Sequence, residues 1–95
     1  MFTEDEIVNQ KIEKKIGSNI KLLRESVGMT QEILAAKLQL CGCDITRSAL
    51  AKIEVGQRHL YPDEIVLIKS ILRVSYEQIF ALEDDLLRLH AEDND

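Results

Sequence analysis

The 95-residue chain has no tryptophan, a single proline, two cysteines and no long hydrophobic run. The longest apolar runs are four residues, as in 65–68, so nothing in the sequence predicts a membrane span. The acidic start of the sequence, 1–6, lacks the apolar stretch that a secretory signal requires. The four glycines are too scattered for a phosphate-binding loop, and no serine lies in a nucleophile-elbow pattern, so we expect no enzyme.

The two cysteines, Cys41 and Cys43, flank a glycine. A disulfide between them would close a strained ring, so we expect free thiols in a reducing cytoplasm. Together with His59 and His90 they do not form a zinc-finger spacing, and we expect neither a metal nor a cofactor. A redox switch at the cysteine pair stays an alternative.

The length predicts one domain, because 95 residues leave no room for a second. Hydrophobic residues make up 45% of the chain and charged residues 31%, which is typical of a globular protein and excludes disorder. We expect a single domain over 1–95, with its core in about 10–82. The remainder, 83–95, is expected to be a helical extension followed by an acidic tail.

The net charge of −5 argues against a nucleic-acid partner, but the charge is uneven. Residues 1–9 carry net −3 and residues 61–95 carry net −6. Residues 10–60 hold nine bases against five acids, net +4. Such asymmetry favours a basic binding surface between two acidic ends.

Apolar residues recur at helical spacing throughout, which predicts five helices and no strand. The first helix should bury a stripe containing Ile16 and Ile20, with Gly17 allowing a break inside it. The other members of this stripe are Ile12, Leu23 and Val27. The expected N-terminal signals are Thr3, Thr30, Thr46, Pro62 and Ser75, and the expected C-terminal glycines are Gly28 and Gly56.

The third helix has two distinct faces. Ala49, Leu50 and Ile53 form an apolar side. The opposite side carries Arg47, Ser48, Ala51, Lys52 and Val55. Arginine and lysine on a helix can reach guanine in the major groove, and a small alanine allows close approach. Taken alone, this face is more typical of a solvated helix surface with two ordinary cations.

Two segments together resemble the helix-turn-helix of Cro and phage repressors, the XRE-like family: TQEILA at 30–35 and ITRSALAKIEVGQR at 45–58. The resemblance extends over about 16–82. It implies an all-α, five-helix lambda-repressor-like DNA-binding domain. In that fold the second and third helices form the DNA-reading unit, and the third enters the major groove.

The resemblance also implies roles for individual residues. Ala35 matches the small residue where the second and third helices cross, and Arg24 and Glu54 match an ion pair that links the first and third helices. The base-contacting positions are Thr46, Arg47, Ser48 and Lys52, and the phosphate-contacting positions are Thr30, Gln31, Gln57 and Arg58.

The chain departs from the family pattern between the second and third helices. About five extra residues, centred on 40–44, lengthen the usual tight turn. We expect Leu40 and Ile45 to pack inward and to keep the third helix docked.

Near the end of the sequence, Ile79, Leu82, Leu86 and Leu89 have the spacing of a short coiled-coil seam. This pattern predicts a fifth helix extended to about His90. We expect Leu82, Leu86 and Leu89 to contribute to a homodimer interface. Ile79 and Leu82 are also explained if they simply close the core.

These observations predict a sequence-specific, DNA-binding transcriptional regulator, in the form of a cytoplasmic homodimeric repressor on double-stranded DNA. The alternative is a protein-interaction module on the same fold, such as an antitoxin-like regulatory subunit. The basic middle segment favours the first function, and the acidic C-terminal third favours a protein partner.

Overall fold

The computed structural model describes residues 4–82, with side chains from residue 9 onward. Over these residues the fold is all-α, with five helices and no strand, as the sequence predicts. The helices are α1 (Glu4–Ser26), α2 (Gln31–Leu40), α3 (Arg47–Glu54), α4 (Pro62–Leu72) and α5 (Tyr76–Ile79).

Helix α1 runs through Gly17 without the break that the sequence allowed. Gly17 is buried against the last turn of α3. A Cβ at this position would collide with the carbonyl oxygen of Ile53 and lie 3.0 Å from the carbonyl carbon of Glu54. The glycine therefore lets α1 and α3 approach backbone to backbone, which explains why a poor helix former stands inside a long helix.

The core lies where α1, α2, α3 and α4 meet. Its fully buried members include Ile20 of α1, Leu34 and Leu38 of α2, Leu50 of α3 and Ile68 of α4. Most of the predicted α1 stripe is buried or half-buried, but Val27 is 51% exposed because α1 ends one residue before it. The core thus fixes the faces of α2 and α3 that point inward.

The connection between α2 and α3 is the lengthened turn that the sequence predicts, 41–46. Gly42, in the left-handed conformation, ends α2, and the Cys43 N–H bonds the Leu38 carbonyl at 3.0 Å. Ile45 is fully buried as expected, whereas Leu40 is 88% exposed. The expectation for Leu40 is therefore wrong. Backbone hydrogen bonds hold the turn, and of these two side chains only Ile45 packs into the core.

Helix α5 is shorter than the sequence predicts. It begins after the Ser75 cap and ends at Ile79, so no continuous helix joins Ile79 to Leu82. The Asn19 side chain of α1 donates to the carbonyls of Ile79 and Ala81, at 3.0 and 2.8 Å, and satisfies acceptors at this helix end. Thr3, Leu86, Leu89 and His90 lie outside the described residues.

Candidate nucleic-acid interface

The orientation of α3 is set by a buried ion pair at its C-terminal end. The Arg24 guanidinium of α1 donates through Nε to Glu54 Oε2 at 2.8 Å and through Nη2 to Glu54 Oε1 at 3.0 Å. Its Nη1 donates to the Met29 carbonyl at 2.8 Å. Because Glu54 ends α3, the pair ties α3 to α1 and to the turn before α2, in the role that the resemblance assigns to it.

This pair is strongly coupled to its surroundings. The hydrogen bonds to Glu54 raise the pKa of Arg24 above its ordinary value, and they outweigh burial, which lowers it. The guanidinium therefore stays charged at every accessible pH. The Gln31 amide of α2 also donates to Glu54 Oε1, at 2.9 Å. One carboxylate therefore joins α1, α2 and α3, and it is compensated although it lies at the negative end of the α3 dipole.

The opposite side of α3 is exposed. Arg47, Ser48 and Lys52 point to solvent, and Ala51 between them is half-buried. The Thr46 hydroxyl accepts the Ala49 N–H at 3.1 Å and so caps the helix, as its position predicts. We call Thr46, Arg47, Ser48, Ala51 and Lys52 the reading face. Its two cations are separated by a small residue, which leaves room for another backbone to approach.

The reading face borders an open cleft of about 570 Å³ between the end of α1 and the starts of α2 and α3. Thr30 caps α2 by accepting the Ile33 N–H at 3.1 Å. The other N–H groups in the first turn of α2 have no partner within the helix, and N–H groups at a helix N-terminus favour a phosphate. Across the cleft Arg47 Nε lies 3.8 Å from Glu32 Oε1, a loose contact between side chains that are 65% and 76% exposed.

The loop after α3 carries the other residues that the sequence assigned to phosphate. Gln57 is exposed, and its N–H bonds the Lys52 carbonyl at 2.8 Å. Arg58 instead donates from Nη1 and Nη2 to the two carboxylate oxygens of Glu64, at 3.0 and 3.1 Å. The charge of Arg58 is therefore compensated within the fold, and its visible role is to fasten this loop to α4.

Glu64 is the partner that sequence reasoning missed. Burial of its carboxyl disfavours the charged form, but the Arg58 hydrogen bonds and the Tyr61 N–H outweigh burial and lower its pKa. The signal for it was local, because Glu64 is three residues after the helix-capping Tyr61. The six-residue spacing from Arg58 to Glu64 gave no comparable hint.

Other groups matter less for the interface. Cys41 is exposed and Cys43 half-buried, and both are free thiols. The part of the chain that the structure describes has no group of three or more His, Cys, Asp or Glu side chains suited to a metal ion. Within residues 4–82, no helix combines the length and the apolarity that a bilayer crossing needs.

The described fold is thus that of a helix-turn-helix domain: two short helices joined by a turn, with the second held by its inner face and exposing a polar outer face. A helix-turn-helix family model matches residues 20–79. That match covers more than half of the chain, and the protein belongs to the XRE family of helix-turn-helix proteins. Comparisons with curated proteins and with solved structures give no match.

Proposed function

We propose that this protein is a sequence-specific transcriptional regulator that reads the major groove of double-stranded DNA with α3. The single observation that carries this proposal is the reading face. Two cations, Arg47 and Lys52, flank the small Ala51 on the exposed side of a helix whose other side is anchored in the core. In a helix-turn-helix protein, that is the face that enters the groove.

The roles follow from position. Arg47 and Lys52 donate to guanine O6 and N7, and Ser48 and Thr46 bond to base edges or to the adjacent backbone. Thr30 and Gln31 at the start of α2, with Gln57 after α3, contact phosphates on either side of the groove. Arg58 contributes indirectly. Its pairing with Glu64 positions the loop that carries Gln57.

We further propose that the regulator acts as a repressor in the form of a homodimer. Operators read by helix-turn-helix dimers present two half-sites one helical turn apart, which need two recognition helices. Leu82, Leu86 and Leu89 are the residues proposed for the dimer contact. Ile79 is not among them, since it is fully buried in the domain core.

The experiment begins with selection of bound duplexes from a randomised library. Fluorescence anisotropy then compares a selected duplex with a scrambled one over a salt series. We expect tighter binding to the selected duplex and a linear fall of log K with log salt. Arg47→Ala should cost about 1–3 kcal/mol on the selected duplex and relax the preference at one base pair. Arg73→Ala, at an exposed arginine that follows α4, is the matched control and should change neither property.

Two outcomes decide the proposal. If selection enriches no sequence and binding is independent of salt, the DNA function is wrong, and the acidic C-terminal third becomes the place to look for a protein partner. Light scattering of wild type and of Leu86→Asp/Leu89→Asp tests the dimer. An unchanged dimer mass in the double variant rejects the proposed contact residues.

A further inference from the structure

We propose that Lys14 and Lys21 of α1 form a second phosphate-binding row beside the recognition helix. This inference rests on the proposed function, and it assigns the row to the sugar–phosphate backbone of the same duplex. Both lysines are exposed. They are seven residues apart, which places them on one face of α1, about 10 Å from each other along the helix axis.

The first observation concerns the position of Lys14. Gly56, the residue that leads out of α3, has φ +78°, and a Cβ added there would lie 2.8 Å from Lys14 Cα and 2.9 Å from Lys14 Cβ. No side chain fits between the two segments. The backbone of α1 at Lys14 therefore lies directly against the end of the recognition helix, next to the loop that carries Gln57.

The second observation concerns the other end of the row. Glu25, four residues after Lys21 and thus one turn along the same side of α1, lines the cleft that Thr30 and Arg47 also line. Lys21 accordingly lies between the end of α3 and the N-terminal end of α2. The row thus runs along α1 from the loop that carries Gln57 to the start of α2. Both of these places are proposed to contact phosphate.

Two acids lie near the row. The Glu13 carboxylate is in contact with the His59 ring, 2.6 Å from Nδ1, and is directed toward the α3–α4 loop. Glu25 stands at the far end and forms the edge of the row. A DNA strand carries one phosphate per about 3.4 Å of helix axis, so two lysines about 10 Å apart can serve two phosphates of one strand without strain.

The test uses a short fluorescein-labelled duplex of arbitrary sequence, because phosphate contacts carry no sequence information. We expect Lys14→Gln/Lys21→Gln to lower the slope of log K against log salt by about 1.8, at 0.9 for each lost phosphate contact. The selected and scrambled duplexes of the first experiment should also lose affinity by the same factor in this double variant. Lys37→Gln is the matched control: it removes an exposed lysine of α2 from the side of that helix opposite to Gln39, whose amide donates to the Ile45 carbonyl in the α2–α3 turn.

The outcomes separate this inference from the proposed function. A wild-type protein that binds no duplex overturns both. A wild-type protein that binds, with the same salt slope in Lys14→Gln/Lys21→Gln as in Lys37→Gln, overturns the lysine row alone. Far-ultraviolet circular dichroism and a thermal melt of each variant confirm that only surface charge has changed.

Discussion

The pairs Arg24–Glu54 and Arg58–Glu64 are chemically alike, each a guanidinium on two carboxylate oxygens, but they occupy different places. The first joins helices thirty residues apart in sequence, and its side chains are 7% and 1% exposed. The second closes a six-residue loop, and its side chains are 30% and 9% exposed. The first ties the end of α3 to α1, and the second fastens the loop after α3 to α4.

Because the bond lengths of the two pairs are similar, we expect burial to decide what each pair contributes to stability. A charge left alone in a dry site has no water to replace its partner, whereas a charge at the surface regains most of its hydration. The Glu32–Arg47 contact lies on the surface and is the most exposed of the three pairs. We therefore expect the effects of breaking the three pairs to fall in that order.

The largest effect is expected from Arg24→Met. It leaves the Glu54 carboxylate buried at the negative end of α3 with only Gln31 as a donor. We expect the free energy of unfolding to fall by about 3–5 kcal/mol in urea titrations. Arg24→Met/Glu54→Leu is the control, and it should recover much of the loss because no buried charge remains. A single variant within about 1 kcal/mol of wild type would contradict the account.

Gly17→Ala tests the close approach that accompanies the first pair. Helix propensity alone predicts a gain of about 1 kcal/mol. The collision of the new Cβ with the Ile53 carbonyl predicts a net loss of about 1–3 kcal/mol, because α1 must move away from α3. Thermal unfolding decides the sign, with Gln10→Ala as the control at an exposed site of α1. A more stable Gly17→Ala would show that the approach is not tight.

The second pair is tested by Glu64→Gln, with an expected loss of about 1–2 kcal/mol at neutral pH. The pKa of Glu64 is lowered from its ordinary value of 4.5, so the contribution of the carboxylate is present above that value. It disappears as the pH falls through the lowered pKa of the folded state. Urea midpoints of wild type and variant should therefore converge toward about pH 2. A gap that stays constant on acidification would mean that the Glu64 charge is not what stabilises the loop.

The smallest effect is expected from Glu32→Gln. This change should leave stability nearly unaltered, since the contact with Arg47 is solvated. It removes a negative charge from the turn of α2 that we propose to face DNA, so duplex affinity should rise by less than about tenfold and the gain should vanish at high salt. Glu77→Gln, at an exposed acid in the first turn of α5, is the control. Weaker binding by Glu32→Gln would instead indicate that this carboxylate accepts a hydrogen bond from a base.

The sequence predicts the helices well where local signals are strong. Thr30, Thr46 and Ser75 cap α2, α3 and α5, each through a side-chain oxygen that accepts a backbone N–H. The third helix buries Leu50 and Ile53 and exposes Arg47, Ser48 and Lys52, as its pattern predicts, whereas Ala49 and Ala51 are both half-buried. The resemblance supplied the Arg24–Glu54 pair, which links residues thirty positions apart.

The failures are those of tertiary structure. Leu40 is apolar, but α2 ends there and none of the helices in the described part of the chain covers it. The spacing of Ile79 and Leu82 looks helical, yet α5 stops at Ile79, where Asn19 from α1 takes up the carbonyls. From the sequence, Gly17 predicts a possible break in α1, whereas the structure shows that it makes room for the α3 backbone. In all three cases the outcome is set by contacts with other parts of the chain, which the local sequence does not contain.

The central claim, that the exposed side of α3 docks on DNA, is tested most directly by amide chemical shifts. Uniformly ¹⁵N-labelled protein is titrated with a selected duplex. We expect the largest shifts at Thr30–Glu32, Thr46–Lys52 and Gln57, with smaller ones at Lys14 and Lys21. Shifts confined to α4 and α5, or no shifts at a saturating duplex concentration, would contradict the claim.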